Sequence, residues 1–184
     1  MSKRIALLSA AAFAALALTA TIAAPVSAQE KTVMVGGAAM FPSKNIIQNA
    51  VNSKEHTTLV TAVKAAGLVD TLQGAGPFTV FAPTNAAFGK LPAGTVETLV
   101  KPESKATLTK ILTYHVVPGK LAASDLKDGM TLKTAEGEQL TVKHDGSKVW
   151  IIDAKGGQSM VTISNVNQSN GVIHVVDTVL MPAS

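Results

Sequence analysis

The chain has 184 residues, a formal net charge of +4, 47% hydrophobic residues and no cysteine. This composition excludes disulfide staples, thiol catalysis and cysteine-bound metals, and the length suits one domain able to bury its own core. Arg4 is the only arginine and the lysines are scattered, which argues against a nucleic-acid footprint built from Arg forks and aromatic platforms.

In chain order, Lys3 and Arg4 form a basic start, the stretch to Ile22 is almost wholly apolar, and Val26-Ser27-Ala28 supplies small residues of the kind a signal peptidase reads. The competing reading is an uncleaved anchor, since the apolar stretch approaches spanning length. The alanine content and the A-x-A-like end favour cleavage after Ala28, so residues 1–28 are expected as a signal peptide and the mature chain as secreted or periplasmic. Residues 29–43 are small, glycine-containing and without periodicity, and read as a flexible lead-in to a domain over 44–184. Pro42-Ser43 opens a helix from Asn45 to about Val51. Thr57 or Thr58 caps a second helix, with Leu59, Ala62, Val63 and Ala66 on one face and Gly67 at its C-terminal stop. Residues 68–72 add a turn before Gly74-Ala75-Gly76-Pro77.

The next block, Thr79 to Phe88 (TVFAPTNAAF), drives a strand into Pro83, which takes no part in a ladder, and then into Thr84-Asn85, helix N-cap residues. A short helix from Thr95 follows, then a longer one capped by Ser104 that turns Leu108, Ile111 and Leu112 inward and runs into Tyr114-His115. Beyond Pro118-Gly119 the period becomes extended. Residues 130–134, 139–143, 148–152, 160–163 and 172–180 read as strands separated by turn pairs such as Asp145-Gly146 and Asn170-Gly171. In the last strand Val172, Val176 and Leu180 share one face, while Ile173, Val175 and Val179 share the other; both are apolar, so this strand belongs in the core. Helices in the first half and strands in the second imply one α+β domain.

Three ordered motifs resemble the fasciclin domain: TVFAPTNAAF, the central ILTYHVVPGK (residues 111–120) and NGVIHVVDTVLMP (residues 170–182). The resemblance spans residues 45–182. The lead-in further resembles single-domain fasciclin proteins exported by α-proteobacteria, some of them symbiotically induced. It implies a wedge-shaped β-sandwich with helices packed on one side, and an extracellular role in adhesion or surface interaction without catalysis. Thr79, Phe81, Ala82, Pro83, Thr84, Asn85, Phe88, Asn170, Gly171, His174, Asp177 and Pro182 are its motif positions and are expected to be mainly structural. Asn85 stands where many members carry Asp, which replaces a charged hydrogen bond with a neutral one. The Tyr-His element of the family is implicated in receptor contact, so Tyr114 and His115 are candidate partner-binding residues; the alternative is that Tyr114 anchors a helix end and His115 bonds across to the first block.

Other chemistry finds little support. His174 reads as a neutral imidazole satisfied by hydrogen bonds, and His56 and His144 as solvated. The serines lie in polar loops and none occupies a nucleophile elbow. Asp125 with Asp128, and Glu136 with Glu138, read as solvated turns without an acid–base partner. No catalytic residue, metal or cofactor is expected. The expected function is that of a cell-adhesion or matrix-binding module whose partner is a surface protein or polysaccharide. Lys101, Lys105, Lys120 and Lys127 would add long-range attraction to acidic polysaccharide or lipid headgroups. The alternative is a carrier of an apolar ligand such as a carotenoid, against which the low aromatic content of 4% counts.

Overall fold

Val33–Val35 (β1) and Ala38–Met40 (β2) begin the computed structural model, which describes residues 31–183; the signal peptide expected over residues 1–28 lies outside the described residues. Gly36 and Gly37, at φ 57° and 77°, form a two-residue turn of the kind that joins twisted antiparallel strands. Gly36 also leaves no room for a side chain, because a Cβ there would meet Ser53 and lie 2.8 Å from Glu55 N. The expected flexible lead-in is thus corrected: residues 33–40 form a hairpin, with Val35 and Met40 buried. Runs of three residues are too short to display a period, and the Gly-Gly pair between them was the available signal.

The helices follow. Asn45 and Gln48 close a capping box on α1, Ile46–Ala50. In α2, Thr57–Ala66, neither Thr57 nor Thr58 is the cap; the cap position is His56, which makes no side-chain cap bond, and Gly67 at φ 74° ends the helix. After α3, Val69–Gln73, the first motif forms β3, Phe78–Pro83, and α4, Asn85–Gly89. Here β3 runs through Pro83, which stands opposite Val176, rather than stopping before it. Thr84 caps α4 as expected, accepting from Ala87 N at 3.2 Å. Then come α5, Thr95–Leu99, and α6, Lys105–Tyr114, entered through a 3₁₀ turn over Pro102–Ser104 instead of a Ser104 side-chain cap.

Six further strands complete the domain: β4 (Val116–Pro118), β5 (Thr131–Lys133), β6 (Gln139–Asp145), β7 (Lys148–Ile152), β8 (Gln158–Gln168) and β9 (Gly171–Val176). Their order is β4-β3-β9-β8-β7-β6-β5, antiparallel except for the parallel β3–β9 pair. β8 is far longer than its sequence pattern suggested, because register shifts on either side of Ile163 break the alternation. β9 ends at Val176, short of the expected Leu180. Ala135 N donates to Val116 O at 2.7 Å, tying the two ends of the sheet together so that it closes into a barrel-like sandwich.

Two apolar cores result. Inside the sandwich lie Phe81, Tyr114, Leu140, Ile151, Val176 and Leu180. Between the sheet and the helices lie Val80, Ala82, Ile173 and Val175, packed by Leu59, Val63, Leu108 and Ile111. β3 and β9 feed both cores from alternate residues, as a strand covered on both sides must. The architecture is therefore a mixed α+β sandwich with helices on one side.

Candidate functional site

The polar motif residues lie along β3 and β9 and at the ends of these strands, and nearly all of them bind backbone. Asn170, 6% exposed, is a hub: its Oδ1 accepts from Ile46 N at 3.1 Å, and its Nδ2 donates to Leu72 O at 2.7 Å and Gly74 O at 3.0 Å. It thus fastens the start of α1 and the end of α3 to the sheet. Gly171 is required beside it, since any Cβ would run into the Phe78 carbonyl across the ladder. Asn85 serves α2 from another element. Its Oδ1 accepts from Thr58 N at 3.0 Å, and its Nδ2 donates to Lys54 O at 3.0 Å and Thr57 Oγ1 at 2.9 Å. The bond to Lys54 O is one that an aspartate could not make, so the amide does more here than neutralise a charged contact.

Thr79 accepts from Leu121 N at 2.9 Å and donates to Gly119 O at 2.6 Å, clasping the loop after β4. Ala82, Phe88 and Pro182 are buried. The Asp177 carboxylate would be raised by burial, but it accepts from Met160 N at 2.9 Å and from Thr178 Oγ1 and faces Lys90 Nζ at 3.4 Å; these hold it below the usual carboxylate range.

The Tyr-His element does not reach a surface. Tyr114 is 0% and His115 2% exposed, which corrects the expectation of a recognition edge. Tyr114 lies in the inner core, where its hydroxyl donates to Gln139 O at 3.2 Å and accepts from Ala154 N at 2.8 Å; burial first of all raises its pKa. The His115 ring bonds neither block side chain. Its Nδ1–H donates to Ile111 O at 2.8 Å, one turn back in α6, and its Nε2 accepts from Leu180 N at 3.0 Å. The first block is met instead by the backbone, with Phe81 N donating to His115 O at 2.9 Å. With both ring nitrogens committed inside an apolar wall, desolvation pushes the pKa down to about 4.

His174 is equally enclosed. Its Nε2–H donates to Leu121 O at 2.8 Å, its Nδ1 accepts from Asn165 N at 3.4 Å, and its ring stacks on Phe81 at 5.8 Å. Burial lowers its pKa. The paired carboxylates accept from backbone N–H groups: Asp125 from Ala122 N, Asp128 from His144 N in β6, Glu136 from Glu138 N and Glu138 from Ala183 N. Lys101, Lys105, Lys120 and Lys127 are all exposed.

His56 is the residue that sequence reading misplaced most. It is 3% exposed, not solvated, and lies beside an apolar cavity of about 40 Å³ between the hairpin, α1, α2 and β3. Val35, Met40, Ile47, Leu59, Val63 and Ile173 are among its walls. Ser53 Oγ engages His56 Nδ1 at 2.8 Å, while Nε2 has no hydrogen-bond partner. Burial lowers the His56 pKa. The cavity has room for a buried water but lies well below the roughly 150 Å³ that admits benzene, so it is too small for a carotenoid.

Residues 54–182 match the family model described as the Fasciclin domain. The chain belongs to the fasciclin family. Protein sll1483 of Synechocystis sp. is 47% identical over 168 residues, covering 91% of this chain and 90% of that protein. Cell surface glycolipoprotein MPB83 of Mycobacterium bovis is 39% identical over 153 residues, covering 80% of this chain and 64% of its own length. A solved FAS1 domain pair from the insect cell adhesion molecule Fasciclin I superposes with a TM-score of 0.68 at 19% identity, covering 77% of this chain and 52% of that one, and shows the shared fold. In this fasciclin domain the hairpin and α1 precede the matched residues, yet they build one wall of the cavity.

Proposed function

We propose that the protein is an exported, non-catalytic interaction module that binds a cell-surface or matrix component. The observation that carries this reading is the disposition of the motif residues. The groups with chemical potential, His115, His174 and Asn170, are buried and committed to backbone partners, which leaves the outer surface for function. Membership of the fasciclin family supports it, as do a relative named a cell surface glycolipoprotein and a fold shared with a cell adhesion molecule. The likeness of the lead-in to exported α-proteobacterial members, some symbiotically induced, supports export in the same sense. No helix among the described residues is long and apolar enough to cross a membrane.

The test is retention of the labelled mature chain on intact cells and on extracellular material of the producing organism. Saturable retention displaced by unlabelled protein is expected; turnover of a small substrate without retention would overturn the reading. Carriage of an apolar ligand is the second reading: the apolar cavity under the hairpin marks where such a ligand would enter, at a closed volume too small to hold it. It requires the hairpin to move, and a coloured eluate or a shifted carotenoid absorption band would establish it.

A further inference from the structure

The helices cover only part of the sheet. They pack on β3, β9 and the second half of β8, and leave the outer side of β5, β6, β7 and the first half of β8 in contact with solvent. On these strands the pleat alternates without interruption. Leu132, Leu140, Val142 and Ile151 point inward and are at most 2% exposed, so Lys133, Thr141, Lys143 and Trp150 point outward. The register then sets the outer surface row by row. Lys143 stands opposite Trp150, and Trp150 opposite Met160; in the next row Thr141 faces Ile152, and Ile152 faces Gln158. Lys148 lies two residues from Trp150 on the same strand, opposite Asp145.

The chain's one tryptophan is therefore part-exposed in the middle of this outer face. Lys143 is a cross-strand neighbour at about 5 Å and Lys148 a same-face neighbour at about 7 Å. Lys133, Lys143 and Lys148 are exposed, and none enters an ion pair among the described residues. On the outward side of β5, β6 and β7 Asp145 is the one carboxylate. An amphipathic ring flanked by unpaired ammonium groups, with Thr141 and Gln158 as hydrogen-bonding neighbours, suits a ligand that is flat, hydroxylated and negatively charged. The exposed large apolar residues Met34, Phe41 and Val51 lie elsewhere, on the hairpin, at its exit and at the end of α1. Ile152 and Met160, the apolar neighbours of Trp150 on this face, are half-buried between the strands, so the lysines are the groups it offers most openly to a ligand.

We propose that the outer face of β5–β8, centred on Trp150 and flanked by Lys143 and Lys148, is a docking surface for an acidic polysaccharide of the uronic-acid class. The proposal rests on the surface-binding reading and specifies its partner. The sugar ring stacks on the indole while the lysines meet successive carboxylates as point charges.

Trp150 is its own reporter. Titrating the mature chain with polygalacturonate oligomers should give a saturable change in tryptophan emission that weakens as salt rises. In affinity electrophoresis through a polygalacturonate gel, Trp150→Ala should bind about tenfold more weakly or worse, with far-UV circular dichroism unchanged. Should that variant not fold, the exposed pair Lys143→Glu, Lys148→Glu carries the same test and should abolish retardation. Wild-type retardation of either folded variant, equal retardation by neutral dextran, or binding to phosphatidylglycerol vesicles but not to the polymer would overturn the proposal. If polygalacturonate is not bound while the protein is still retained on cells, this face is wrong and the surface-binding reading stands; if both are absent, both fall.

Discussion

Protonating His115 in the folded domain would place a charge in an apolar wall and set its Nε2–H against the N–H of Leu180. With a folded pKa of about 4 against an ordinary value of 6.5, the unfolded chain takes up a proton that the native state refuses. The stability from the neutral ring is therefore complete above the unfolded pKa and is lost as pH falls through the window from 6.5 to about 4. A shift of this size corresponds to about 3 kcal/mol. His56 and His174 are lowered too and act in the same direction. Urea midpoints measured from pH 7 down to pH 4 should fall steadily, and the His115 ring should remain neutral by NMR at pH 5; a flat profile would contradict this placement. Asn170→Ala should cost about 3 kcal/mol, since it leaves Ile46 N–H and two helix-terminal carbonyls unpaired. Asn85→Asp keeps the bond from Thr58 N but loses the one to Lys54 O, and should lower stability by about 1 kcal/mol. Chemical denaturation of each variant checks both.

Among the elements, the hairpin β1–β2 is the one that sequence reading missed, and it has the most to add to stability outside the residues that match the family. Val35 and Met40 cap the cavity, while Asn49 bonds both the N–H and the carbonyl of Phe41 and also engages Gln168. Val35→Ala with Met40→Ala should together destabilise the domain by about 4 kcal/mol, and hydrogen exchange should accelerate first in α1 and α2. Unchanged denaturation would mean that the hairpin is ornamental. β3, α4, β7 and the two apolar faces of β9 were legible because each has a period or a cap within its own residues. The α2 cap was not, because Asn85 supplies it from 27 residues away. The full length of β8 was hidden by its bulges, and the fate of the histidines was hidden because burial depends on what the other elements bring over them.

At the scale of the molecule, the motifs that identify the family hold two cores to one sheet, and they do so from the inside. Tyr114-His115 were the sequence's best candidates for recognition, and the closed sandwich puts them out of reach. Trp150, which no motif contains, emerges only from the register of three strands. With the one face proposed around Trp150, avidity would arise only where many copies are displayed together. The most direct measurement of whether function resides on the surface is binding of the folded protein to the producing organism's envelope, beside a His115→Asn variant and normalised to the folded fraction. The proposed function predicts saturable binding, and the burial of His115 predicts the same affinity for both proteins, even where the variant is less stable. Absence of saturable binding, or its loss in folded His115→Asn, would contradict that account.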